Sequence, residues 1–140
     1  MALGLLAGAP SELERVYRET ITRLGEDHAL LLAERDGETV GMAQLVRAEA
    51  ANARHRAEVR RVAVAARARG AGIGARLMNG VEQAARTRGI TLLWLTTHAG
   101  TAACAFYEAL GYTRLGVMPK YSARPDGSLA DGAFFYRELA

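Results

Sequence analysis

The chain has 140 residues, half of them apolar and about a quarter charged, which fits one globular domain spanning 1–140 and excludes an intrinsically disordered chain. A net charge of +3 is too small to make the whole chain a nucleic-acid binder. Lys120 is the only lysine, so nearly all the positive charge is arginine, a planar donor suited to phosphate and carboxylate.

The opening "MALGLLAGAP" lacks a basic leader and is far shorter than the roughly 20 apolar residues of a membrane span. One cysteine, Cys104, allows no internal disulfide and fits a reducing compartment. The expectation is a cytoplasmic protein with no membrane partner.

"SELERVYRETITRLG" has helical apolar spacing, a Ser11–Glu14 capping box and Gly25 as a stop, which predicts an amphipathic helix. "HALLLAER" and "ETVGMAQLVRA" flank Asp36-Gly37, a strong signal for a two-residue hairpin. "NARHR" reads as a loop and "AEVRRVAVA" as a third strand rich in β-branched residues. A glycine-rich loop follows. From Ile73 to Arg88 one apolar face (Ile73, Leu77, Met78, Val81, Ala84, Ala85) predicts a helix ending near Gly89. "TLLWLTTH" is apolar on both faces, as a strand covered on both sides would be. "TAACAFYEAL" before Gly111 predicts a short, mostly buried helix, and "YTRLGVMPKYS" and "GAFFYREL" two last strands joined through "RPDGS". The order is helix, three strands, helix, strand, helix, two strands. Strand, glycine loop, helix, strand is a βαβ unit, so a parallel pair is expected inside a mixed sheet. The predicted class is α/β (α+β), a mixed central sheet flanked by helices.

The loop "RARGAGIGARL" can be a plain turn or an anion site. A helix start leaves about four amide N–H groups without intrahelical partners, and glycines let a phosphate come close to them. The spacing is neither G-x-G-x-x-G nor G-x-x-x-x-G-K-[ST], which disfavours dinucleotide and ordinary NTP binding.

Arg69-Gly70-Ala71-Gly72-Ile73-Gly74, between the strand "RRVAV" and an amphipathic helix, resembles the acetyl-CoA pyrophosphate loop of the GNAT N-acetyltransferases. "AFYEALGY", Ala105 to Tyr112, resembles that family's second signature one strand further on. "HRAEVRRVAV" with "YSARPDGSLADGAFFYREL" is similar to the branch that holds the tabtoxin-resistance acetyltransferase, which acts on a small-molecule amine. The resemblance implies acetyl-CoA as co-substrate. Backbone groups of Gly70, Ala71, Gly72, Ile73, Gly74 and Ala75 would take the pyrophosphate, with Arg69 near it. Val62, Ala63 and Val64 would face the pantetheine arm where neighbouring strands splay apart, and Thr101 would lie beside that arm. It implies Tyr107 as the group serving the leaving thiolate and Glu58 as base working through water. A backbone N–H near Val62 is a candidate for the oxyanion.

Several alternatives stay open at this level. Tyr107 can be a packed helix-end tyrosine, and Glu58 a surface partner of Arg56 or Arg60. Glu58 shares strand parity with Val62 and Val64 unless a bulge intervenes. Cys104, Trp94, Phe106, Phe134 and Phe135 read as core. His28, His55 and His98 have no metal-ligand spacing, so no metal is expected; His98 alone lies near the cleft.

Departures from the family's pattern are a first strand expected to be missing or vestigial, Gly100 at a position where relatives carry asparagine, and Thr96 where the named branch carries Asp. The expected activity is direct acetyl transfer to a small-molecule primary amine. Its rivals are a protein or peptide N-acetyltransferase and a non-catalytic acyl-CoA-binding protein. A nucleic-acid partner is not expected, because no aromatic platform accompanies the arginines. A homodimer through an open sheet edge is the expected assembly.

Overall fold

The computed structural model describes residues 24–140; the predicted N-terminal helix from Ser11 and the question of a first strand lie outside them. Six strands form one sheet in the order β1-β2-β3-β4-β6-β5. β1 (His28–Arg35) and β2 (Glu38–Arg47) form the expected antiparallel hairpin. Its turn residues Asp36 and Gly37 have φ of 53° and 79°, the left-handed pair that a two-residue hairpin turn requires.

β3 (Arg56–Val64) pairs antiparallel with β2 and parallel with β4 (Leu92–His98), as the βαβ reading predicts. β5 (Thr113–Ala123) and β6 (Leu129–Glu138) make a second antiparallel hairpin that joins through β6 to β4.

Two helices connect these strands: α1 (Ile73–Thr87) and α2 (Ala102–Ala109). α1 buries Ile73, Leu77, Met78, Val81 and Ala85, a stripe at the 3.6-residue period. α2 buries only Ala103, Cys104 and Tyr107. It is therefore half exposed, a correction to the mostly buried helix expected from its apolar composition.

The main core joins Met78 and Val81 of α1, Cys104 and Tyr107 of α2, and Ala43, Leu45, Ala57, Val59, Leu93, Leu95 and Phe135 of the sheet. The pairs Leu45↔Val59, Ala57↔Leu93 and Leu95↔Phe135 put these strand residues on one face, so both described helices lie on that face. β4 alternates between buried Leu93, Leu95 and Thr97 and half-buried Leu92, Trp94, Thr96 and His98, and so is not equally covered on its two faces. Of the aromatic residues read as core, Phe135 is fully buried whereas Trp94, Phe106 and Phe134 are half-buried.

Phe135 sits at the centre, against the ring of Tyr107 at 6.0 Å and under the guanidinium of Arg114 at 5.4 Å. Phe135→Ala is expected to lower stability by about 3–5 kcal/mol, read as a fall in the urea midpoint at unchanged slope.

Candidate active site

The site begins with one extra residue. Along β2 and β3 the partners run Gly41↔Val64 and Met42↔Ala63, then Gln44↔Arg60 and Leu45↔Val59. β3 therefore carries one residue more than β2 between Ala63 and Arg60, a β-bulge. Arg61 has φ 51° within it, a left-handed conformation unusual for a residue with a side chain. Its Nη1 donates to Oε1 of buried Gln44 at 2.9 Å, which ties the bulge to β2.

The inserted residue shifts the side-chain phase. Ala57 and Val59 face the helices before it; Val62 and Val64 face them after it, in contact with the α1 clusters. Glu58 consequently points to the opposite, second face. The shared parity of Glu58 with Val62 and Val64 is thus corrected by the bulge.

β3 and β4 pair only through Arg56↔Leu92, Ala57↔Leu93 and Glu58↔Trp94. Beyond Glu58 the two strands part, while β4 stays paired to β6 as far as His98↔Gly132. The β4-facing backbone edge of Val62, Ala63 and Val64 therefore borders an opening, with Ala63 and Val64 still held by β2 on the other side.

The glycine loop stands at the end of that opening. A short 3-10 turn, Ala66–Ala68, leads through Arg69 to Gly70 and to Gly72, the residue preceding α1. Gly70 and Gly72 have φ of 80° and 74°, and a Cβ at either would meet nothing within 4 Å. Glycine is required here by backbone conformation, and the space above is open. No side chain caps α1, and its first turn holds no acidic residue. Arg76 is the first residue whose N–H closes the helix, onto Gly72 O at 3.1 Å. The amides of Ile73, Gly74 and Ala75 precede that closure, with the partial positive charge of the helix start. Arg69, Ala71, Ala75 and Arg76 are exposed, whereas Ile73 and Gly74 are buried. An anion with several acceptor oxygens matches this donor set. A cavity of about 360 Å³, lined by Leu31, Val40, Ala71, Ile73, Arg76 and Leu77, lies on the β1 side of the loop, away from the opening.

Tyr107 is buried in α2, with its ring edge-on to Phe106 and Tyr112 at 5.1 and 5.8 Å. Burial raises its hydroxyl pKa above the ordinary 10.0, so the phenol stays a neutral donor. Glu58 accepts from Nε of Arg60 at 2.7 Å, its side chain 17% exposed; the surface-pair reading with Arg60 is therefore realised. Glu58 and Tyr107 are not brought together on one side: Tyr107 belongs to the helix-face core and Glu58 to the second face. The opening between β3 and β4 begins at Glu58.

Thr101 precedes α2, and its Oγ1 donates to His98 O at 2.7 Å, fixing the chain where β4 ends. Cys104 is buried with its Sγ 3.5 Å from the same carbonyl, a packing role. Sequence reasoning missed Gln44 and Arg61, because neither residue type advertises a bulge.

The family described as Acetyltransferase (GNAT) family matches residues 6–112. The ribosomal-protein-alanine N-acetyltransferase of Brucella melitensis is 29% identical, with a TM-score of 0.77 over 94% of this chain and 80% of that one. A phosphinothricin acetyltransferase of Sinorhizobium meliloti, solved with acetyl-CoA, is 25% identical, with a TM-score of 0.78 over 94% and 71%. The ribosomal-protein-S18-alanine N-acetyltransferase of Escherichia coli shares the fold at 22% identity, with a TM-score of 0.75 over 91% and 77%. With an uncapped helix start beside a parted parallel strand pair, and with the family's sequence pattern over most of its length, the chain belongs to the GNAT acetyltransferase family.

Proposed function

We propose that this protein transfers the acetyl group of acetyl-CoA to the primary amine of a small molecule, by direct attack in a ternary complex. The carrying observation is the junction of two features: a strand pair that parts after three partners and an uncapped glycine-rich helix start at its end. The first accepts an extended amide-bearing arm as a partner strand accepts a neighbour. The second accepts a pyrophosphate.

In this reading Gly70 to Ala75 hold the pyrophosphate through backbone amides, Arg69 adds charge, and Val62 to Val64 pair with the pantetheine arm. Thr101 borders the same arm from the β4 side. Bound acetyl-CoA supplies the thioester carbonyl. The amine nitrogen bonds to the carbonyl carbon, the C–S bond breaks, the amine proton passes through water to Glu58, and Tyr107 donates to the departing sulfur. Phenol and thiol have reference pKa values near 10 and 8.5, so complete transfer from Tyr107 is uphill by roughly 2 kcal/mol before burial adds to it. Tyr107 therefore serves as a hydrogen-bond donor. Arg60 orients Glu58 through its Nε, which donates to the carboxylate at 2.7 Å.

A small-molecule acceptor agrees with the 25% identity to the Sinorhizobium phosphinothricin acetyltransferase. A peptide α-amine is the second reading, favoured by the 29% identity to the Brucella ribosomal-protein-alanine enzyme.

Calorimetric titration with acetyl-CoA and free CoA, followed by thiol-release assays on amines and alanine-terminated peptides, tests both. Micromolar cofactor binding, about −8 kcal/mol, with turnover on amines alone is the expected result; turnover on peptides alone overturns the small-molecule acceptor. Gly72→Val should weaken acetyl-CoA at least tenfold, about 1.4 kcal/mol, with circular dichroism confirming the fold; undiminished affinity would reduce the loop to a turn. Tyr107→Phe should lower kcat with acetyl-CoA affinity unchanged. Because burial keeps the phenol protonated, the wild-type to variant ratio should stay flat between about pH 6 and 9. Glu58→Gln should lower kcat/KM by about 10²-fold, checked by the same assay.

A further inference from the structure

A second strained segment, on β5, lies beside the second face of the sheet. The β5–β6 register changes from Met118↔Gly132 to Ser122↔Ala130. Four steps along β5 thus match two along β6, and two extra residues bulge outward. Within the bulge Lys120 has φ 55°, strain that persists only where the surroundings impose it. Its amide N–H donates to Asp131 Oδ1 at 3.0 Å.

The bulge turns two side chains onto the second face. The ring of Tyr121 covers Gly132 so closely that a Cβ there would come within 2.7–2.9 Å of its atoms. Ser122 Oγ lies 3.2 Å from Nε2 of His98. Tyr121 then meets Phe134 edge-on at 5.1 Å, and Phe134 lies parallel to Trp94 at 6.4 Å. Trp94 is the partner of Glu58 at the last rung before β3 and β4 part. An aromatic wall therefore runs from the carboxylate of Glu58 to the His98–Ser122 pair, and Tyr121 remains 42% exposed.

Resting on the acetyl-transfer reading, we infer that this wall is the acceptor subsite and takes a primary amine carried by a short alkyl chain on a flat aryl ring. Tyr121, Phe134 and Trp94 offer the ring both a face and an edge, the two arrangements aromatic groups prefer. The ammonium end meets Glu58, the carboxylate at the foot of the wall, and π faces stabilise its charge on the way. Asp131 is a positioning residue: it holds the Lys120 bulge that puts Tyr121 and Ser122 in place.

Trp94 is the only tryptophan, so its emission reports on the wall directly. The protein saturated with free CoA is titrated with 2-phenylethylamine and with 2-cyclohexylethylamine, which match in charge and chain length but not in flatness. The aryl amine should shift Trp94 emission at a concentration at least tenfold lower. With acetyl-CoA it should show at least tenfold higher kcat/KM, carried by KM. Tyr121→Ala should erase this preference with acetyl-CoA affinity unchanged. Asp131→Ala should raise the aryl-amine KM at constant kcat, and adding Lys120→Gly, which relieves the left-handed strain, should restore it. Equal handling of the two amines by CoA-bound protein overturns the aryl subsite and leaves acetyl transfer standing. Failure to bind either form of the cofactor overturns acetyl transfer, and the subsite with it.

Discussion

The extra residue at Arg61 is the constraint on which the site depends. A strand without it would keep Glu58 and Val62 on one face. With it, β3 turns Val62 and Val64 toward α1 while Glu58 stays on the second face. A bulge also bends its strand and increases the local twist, and here β3 leaves β4 three residues before Arg61. The left-handed backbone is unfavourable for arginine by about 1–3 kcal/mol. The hydrogen bond to buried Gln44 offsets part of that within the sheet. Strain on β3 and a gap in the sheet are one structural event.

The gap would be a fault in an ordinary sheet, since strand edges without partners expose backbone donors and acceptors. Its neighbour makes sense of it. α1 starts with Gly72, has no capping side chain and no acid in its first turn, so its own donors are also left for something else. Nature commonly closes such a helix start with Ser, Thr, Asp or Asn. Among the described residues, two sets of backbone groups without partners, one strand-like and one helix-like, meet at the same end of β3. A ligand with an extended amide arm and a polyphosphate head satisfies both. The basic residues Arg69 and Arg76 add long-range attraction without constraining geometry.

Much of this was legible in the sequence, for identifiable reasons. The hairpin at Asp36-Gly37 is marked by residues that tolerate positive φ, and observed β1 and β2 match it closely. α1 carries an apolar stripe long enough to outweigh local noise. The loop before α1 is written in glycine, whose backbone freedom the fold needs at Gly70 and Gly72. The bulge on β3 was raised only by the family resemblance and the one on β5 not at all, because Arg61 and Lys120 adopt left-handed backbone without being residues that favour it. Their stabilisers, Gln44 and Asp131, come from neighbouring strands, contacts that no local pattern encodes. Trp94 and Phe134 read as core because a ring packed inside and a ring lining a half-open face have the same hydrophobicity. Only the face they share with Glu58 separates the two cases.

Tyr107 and Glu58 stand on different faces of the sheet. Tyr107 is enclosed on the helix side, where burial keeps its phenol protonated, as the proposed hydrogen bond to a leaving sulfur needs. Glu58 stands on the other side, paired with Arg60, where the proposed reaction needs a group to take the amine's proton. The β-sheet lies between them, and the proposed reaction has the thioester reach both at the opening where β3 and β4 part. Because the bulge at Arg61 puts Val62 on the face opposite Glu58, right where β3 leaves β4, the proposed base and the proposed path of the cofactor are set by one short stretch of β3.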